Sequence, residues 1–260
     1  MRPGFAMAGD CPIFAPAMWH SLKQWIKALP IPITRNQRYD HQTRQVIRRV
    51  CRPDSTCIDI GCHKGEVLEI MRQAAPEGHH FGFEPIPDLF DGLQAKYQGS
   101  PCTISPVALS DRKGTSTFNY VVSNPSYSGL VKRDYDRPNE EDTTITVQTD
   151  RLDDVLPPDQ PVDLIKIDVE GGELLVLTGA KNTLARYQPV VIFEHGLGAA
   201  EHYGSSPDQV YDLLTSCGLR VSLMSRWLAG KSPLTRDAFI REFTEKRNYY
   251  FMAYSDHPST

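Results

Sequence analysis

Four short apolar runs, each ending in a glycine or an acid, set what this chain can fold into: CIDIG at 57–61, HFGFE at 80–84, DLIKID at 163–168 and VVIFE at 190–194. Runs of this length suit buried strands. Between them apolar residues recur at helical spacing, as in Glu66–Ala75 with Val67, Leu68, Ile70 and Met71, and again in Leu89–Tyr97. Strands separated by helices need crossover connections, which make a parallel sheet covered on both faces. Three more strands are expected at 103–108, 219–224 and 248–254, and helices at 41–51 and 236–245. The prediction is therefore an α/β fold with a mostly parallel seven-stranded sheet. Ser116–Val122 and Thr143–Thr149 alternate and are β-branched, so they are expected to add a β-hairpin. The long polar loop between them (123–142) is of the kind that carries function.

Composition bounds the partners. With 28 basic and 32 acidic residues the net charge is −4, which argues against a nucleic-acid partner and leaves a small molecule open. No apolar run reaches the roughly 18–20 residues of a membrane span. The first 19 residues, broken by Asp10 and three prolines, make a poor secretory signal. The six cysteines lack Cys-x-x-Cys spacing, so they are expected to be free thiols in a reducing, cytoplasmic setting. Residues 1–40 read as an extension with one short amphipathic helix at Trp19–Leu29, and 41–260 as the main domain. The apolar face of that helix needs cover, from the domain or from a second copy in a homo-oligomer.

Four motifs carry chemistry. In CIDIGCHKGE (57–66) a strand runs through Asp59 into Gly61, and Gly65 opens a helix, so backbone can approach a ligand closely. A dinucleotide loop would need glycine where His63 and Glu66 stand, which disfavours NAD and FAD. The loop suits a smaller, cationic nucleoside. In FGFEP, Glu84 ends the second strand 25 positions after Asp59, where a carboxylate can accept both ribose hydroxyls, and Pro85 closes the turn. In DLIKIDVEGGE, strand alternation puts Lys166 and Asp168 on one side, with Glu170 and Glu173 crowding the strand end. A lysine in an apolar strand needs a partner; the group is an acidic rim or a structural ion pair. In VVIFEHG, Glu194 and His195 follow the fifth strand. They offer a proton acceptor or, with Asp168, ligands for a divalent metal ion.

The order IDIGCHKG, FEP, VALSDRKG (107–114), IKIDVEGGELLVLTGA (165–180) and IFEH resembles the FkbM family of methyltransferases over roughly residues 45–200. That resemblance implies a Rossmann-like class I methyltransferase fold. It implies S-adenosyl-L-methionine as cofactor and O-methylation of a hydroxyl on a sugar, polyketide or similar small natural product. It matches Asp59, Gly61 and Gly65 to the cofactor loop, Glu84 to the ribose-binding acid, and the Val107–Ser110 stretch with Ala108 to the segment near the adenine; His63, Pro85 and Asp168 are expected beside the cofactor as well. Asp168, Glu170 and Glu173 match the acidic block. The first loop departs from the more usual Gly-Ala-Asn-x-Gly, having Cys62 and His63 in its middle.

On this reading the expected base for the acceptor hydroxyl is His195, then Glu194, then Glu170, because an unperturbed histidine titrates nearest neutrality. Lys166 orients an acid or the acceptor. A metal-assisted variant would use Asp168 and Glu194. A binding module that holds S-adenosylmethionine without catalysis is the competing reading. Loop 123–142 and segment 197–208 are expected to cover the site, with Tyr127 and Tyr135 available to stack on a sugar or ring.

Overall fold

The computed structural model describes residues 34–135 and 139–256; the helix expected at Trp19–Leu29 lies outside the described residues. Helix α1 (Arg35–Val50) is followed by β1 (Cys57–Ile60), α2 (Glu66–Ala74), β2 (His80–Phe83), α3 (Pro87–Tyr97) and β3 (Cys102–Ser105). Three strands then depart from the alternation: β4 (Val107–Leu109), β5 (Gly114–Val121) and β6 (Asp142–Asp150). After α4 (Leu152–Val155) the chain continues through β7 (Leu164–Ile167), α5 (Glu173–Gly179), α6 (Lys181–Tyr187) and β8 (Val190–Glu194). It closes with α7 (Pro207–Ser216), β9 (Arg220–Ser222), α8 (Met224–Leu228), α9 (Arg236–Thr244) and β10 (Tyr250–Tyr254).

The seven-stranded sheet has the order β3-β2-β1-β7-β8-β10-β9. Its β3-to-β8 portion is parallel, and β10 is antiparallel to both neighbours. Alternation along each strand builds two apolar layers. Ile58, Ile60, Ile165, Ile167, Val191, Phe193 and Phe251 pack on one face with Leu177, Leu184 and Phe239. Cys57 and Leu164 pack on the other with Ile47, Leu68, Met71 and Leu93. The strands are buried on both sides, which is why they read as near-continuous apolar runs.

Two expectations need correction. The strand expected at 103–108 breaks at Pro106, which has no N–H for the ladder. Its first part pairs with β2 and its second with β6. The added hairpin is real as β5–β6, but β4 joins it to make a three-stranded sheet in the order β4-β6-β5. Gly179, in the Leu-x-Gly-Ala segment, lets α5 lie against that junction: a Cβ there would sit 2.0 Å from the Ser110 carbonyl oxygen. The described cysteines are free, with the Cys51 and Cys57 sulfurs 3.5 Å apart. Among the described residues no helix is long and apolar enough to cross a membrane.

Candidate active site

The parallel strands β1, β7 and β8 end at one edge of the sheet, and the antiparallel β10 begins there. Ligands of open α/β sheets bind at this edge. Two groups of side chains occupy it.

The first group lies around β1 and β2. Gly61 has φ 73°, and a Cβ on it would meet the Asp168 carbonyl oxygen at 2.0 Å, so only glycine fits this turn. Its N–H and that of Cys62 donate to the Phe83 carbonyl at 2.9 and 3.1 Å, tying the loop to the end of β2. Gly65 caps α2 from the left-handed region. His63, half-buried, donates its backbone N–H to Glu84 Oε2 at 2.8 Å, and Ile86 donates to Glu84 Oε1 at 3.0 Å. Each Glu84 oxygen thus holds one N–H and keeps a second acceptor position. Burial pushes the Glu84 carboxyl up to about 7, against the pull of these two hydrogen bonds. Burial also lowers the His63 imidazole below its ordinary value. Pro85 is part of the turn between these contacts. Ala108 lies in β4, buried with Phe118, Val147 and the same Ile86 whose N–H holds Glu84.

The second group is acidic. Strand register sets Asp59 beside Lys166, and alternation puts both on the face of Cys57 and Leu164. Lys166 Nζ lies 3.5 Å from Asp59 Oδ1, 3.2 Å from Asp168 Oδ2 and 3.4 Å from the Gly61 carbonyl oxygen. Burial alone would depress this ammonium, but the two carboxylates hold it above the ordinary lysine value. Burial raises Asp59. Asp168 has the opposite balance: burial works upward, yet Lys166 and the Tyr250 hydroxyl, which donates to Oδ2, leave it below the usual carboxylate range. Glu194 faces Asp168 and is driven well above the usual range by burial and by the charge of Asp168. Of the two carboxyls, Glu194 is the one biased toward the protonated form. Glu170, in the left-handed region at φ 56°, receives a hydrogen bond from Arg133 Nη1. Burial and Asp168 raise it to about 8 despite that guanidinium. Glu173 is fully buried at the start of α5, accepts from the Val169 and Gly171 N–H groups, and is raised to about 7 by burial.

Asp168, Glu170 and Glu194 each offer a carboxylate oxygen within 4.8 Å of the others. This donor set has the oxygen chemistry of a hard divalent ion. Protein cations already lie on two members, Lys166 on Asp168 and Arg133 on Glu170.

His195 is not part of this group. It has the strand parity of Val191 and Phe193, one step out of phase with Glu194, so its ring turns to the opposite face. There it is fully buried and stacks on Phe243 at 4.7 Å and Phe239 at 6.3 Å. Neither ring nitrogen has a hydrogen-bond partner among the described residues, and burial lowers the imidazole to about 4. The expectation that His195 is the leading base is corrected on these grounds.

Tyr250 and Arg133 were not singled out from the sequence. The signal for Tyr250 was its place at the start of an antiparallel last strand, which brings it opposite Glu194. Arg133 had no such signal. The two segments expected to cover the site do meet: the Val131 N–H donates to the Tyr203 hydroxyl at 3.0 Å. Tyr127 and Tyr135 stack on each other, and Arg133 lies over the Tyr127 ring at 5.0 Å.

The model of the methyltransferase FkbM domain matches residues 59–221, from Asp59 in β1 to Val221 in β9. The chain belongs to this family. It is 30% identical to the 2-O-methyltransferase NoeI of Sinorhizobium fredii over 158 residues, which are 55% of this chain and 64% of that protein. It is 26% identical to the hexuronic acid methyltransferase AglP of Haloferax volcanii over 190 residues, 73% of each chain. The alignment thus spans just under two thirds of NoeI. A solved FkbM methyltransferase from Methylobacillus flagellatus KT aligns with a TM-score of 0.49 and 15% identity, over 79% of this chain and 45% of that one. Tyr250 and α1 lie outside the span that defines the family.

Proposed function

We propose that this chain transfers the methyl group of S-adenosylmethionine to a hydroxyl of a sugar or similar small natural product. The observation that carries the reading is Glu84: a buried carboxylate, fixed by two backbone N–H groups beside a glycine loop, with acceptor capacity left on both oxygens. A ribose diol has the matching pair of donors. The relatives named above, one acting at a 2-hydroxyl and one on a hexuronic acid by their names, support a sugar-like acceptor.

The sulfonium methyl is already activated, so the protein has to align the acceptor oxygen and take its proton. Glu170 is the proposed base, because it sits at the strand edge on the side covered by residues 123–135. Asp168, kept below the usual carboxylate range by Lys166 and Tyr250, would supply negative charge to the cationic cofactor. Calorimetric titration with S-adenosylmethionine and S-adenosylhomocysteine tests the reading. Saturable binding that Glu84→Ala weakens supports it, and a folded protein that binds neither sinks it. Binding without transfer to a broad hydroxyl panel would favour a non-catalytic module.

The three clustered carboxylates favour one second reading, a metal-assisted transfer in which a divalent ion on Asp168, Glu170 and Glu194 lowers the acceptor's pKa. Undiminished turnover after exhaustive chelation would remove it.

A further inference from the structure

The turn after β7 concentrates two unfavourable features in a few residues. Glu170 lies in the left-handed region, a conformation disfavoured for any residue with a Cβ. Glu173 is fully buried, and its Oε2 has no hydrogen-bond partner among the described residues. A buried carboxyl left half satisfied is destabilising. Local costs of this kind persist where a site needs a set geometry and its surroundings enforce it.

One set of hydrogen bonds joins the two. Glu173 Oε1 accepts from the Val169 N–H at 3.2 Å and from the Gly171 N–H at 3.1 Å, the amides on either side of Glu170. N–H groups that flank a left-handed residue form a concave nest for an anion. Here the chain fills the nest with its own carboxylate. Both donors precede α5, whose N-cap residue, Gly172, makes no side-chain cap bond. The Glu173 side chain thus ties down the turn in front of the helix. Gly171 completes that turn at φ 104°, where a Cβ would lie 2.6 Å from the Ala199 carbonyl oxygen. Held in this way, Glu170 meets Arg133 and brings a carboxylate oxygen within 4.8 Å of those of Asp168 and Glu194.

We infer that Glu173 is a positioning residue for methyl transfer: by closing the 169–171 turn on its carboxylate it fixes the backbone of Glu170, and with it the place of the base. The inference rests on the reading of Glu170 as that base. A base works only within hydrogen-bond reach of the proton it takes, and a displacement of about 1 Å can lower a rate about 10²-fold. Arg133 holds the Glu170 side chain from the covering loop, and Glu173 holds the Glu170 backbone from the core side. The Glu173 carboxyl has no exposed surface of its own, so its effect on the reaction passes through its neighbour.

The test joins residue-resolved amide hydrogen exchange of the full chain to a double-mutant cycle. Glu173→Ala should speed exchange at Val169 and Gly171 about 10-fold or more, while Ile165 and Ile167 in β7 keep their protection. Its kcat should fall about 10²-fold, with S-adenosylhomocysteine affinity within roughly twofold of the parent. Glu173→Gln, which keeps an acceptor oxygen, should restore most of the protection and most of the rate. Glu173→Asp, one methylene short of the two amides, should behave like Glu173→Ala and serves if the alanine protein does not fold. In the Glu170→Gln background the same substitution should cost less than about twofold more, because the group it positions is already gone. An equal loss in both backgrounds would mark a merely structural role and overturn the inference, as would unchanged exchange at Val169 and Gly171. A Glu170→Gln protein as fast as the parent would remove the base reading itself, a failure visible in that single variant whatever the exchange result.

Discussion

The two halves of the sheet edge are built in opposite ways. Around β1 and β2 the site is local: Gly61, His63, Glu84 and Ile86 span 26 positions and are joined by backbone N–H groups. Around β7, β8 and β10 it is assembled from residues 133, 168, 170, 194 and 250, and side chains make the contacts. Backbone donors hold a shape whatever the neighbouring side chains are. Side-chain networks do so only while each member is present. The first half can therefore serve one constant ligand, and the second can be rebuilt for different acceptors.

The largest effect should come from separating the two halves chemically. Glu170→Gln removes the proposed base and should lower kcat by about 10²–10⁴-fold, with S-adenosylhomocysteine affinity within roughly twofold of the parent. Single-turnover rates and titration on the same preparation check this. If rate and affinity fell together, the division into two halves would be wrong.

Next is Lys166, which joins them by reaching the Gly61 carbonyl oxygen as well as Asp59 and Asp168. Lys166→Met leaves two carboxylates without their ammonium in a buried setting. The expected loss is about 3 kcal/mol in urea unfolding. The companion Asp59→Asn in the same background should recover part of it, and no recovery would mean that Lys166 acts through something other than this pair.

Third in size is Glu84. Losing an acceptor for two hydroxyls should weaken S-adenosylhomocysteine binding about 10-fold or more. The pH dependence sharpens the point. Burial raises the free carboxyl to about 7, so it is largely protonated below that and ionised above. A diol is best accepted by the carboxylate, so affinity should tighten as pH rises through about 7. Glu84→Gln should flatten that profile. A parent profile that is already flat would place the ribose elsewhere.

Legibility in the sequence follows the same division. The runs 57–61, 80–84 and 163–168 disclosed three strands, their order along the chain and the glycine and acid at their ends, because each signal is contained within a few residues. What stayed hidden depends on pairing at long range. Pro106 divides a run that looked like one strand, and only the partners β2 and β6 show where each part goes. Tyr250 enters the site because β10 runs antiparallel, a property of the whole sheet. Arg133 lies in a polar loop whose local pattern gives no direction. His195 was within reach of the sequence: the alternation that groups Lys166 with Asp168 also separates residue 195 from residue 194.

His195 gives the smallest and most discriminating prediction, because it tests that alternation alone. Its ring stacks on Phe239 and Phe243, with both nitrogens buried and no partner among the described residues. His195→Phe keeps a planar ring there and removes two unsatisfied polar atoms, so stability at neutral pH should be unchanged or slightly higher. Methyl transfer should stay within about twofold of the parent. The acid side supplies a signed check. The imidazole titrates near 4 when folded, lowered by burial, so between that value and the ordinary one near 6.5 the unfolded chain binds more protons. The parent's stability should therefore fall as pH drops through this window, and the His195→Phe protein should lose less. A strong loss of transfer in this variant, with the fold intact, would return the histidine to the reaction and imply that the ring reaches the acidic edge during turnover.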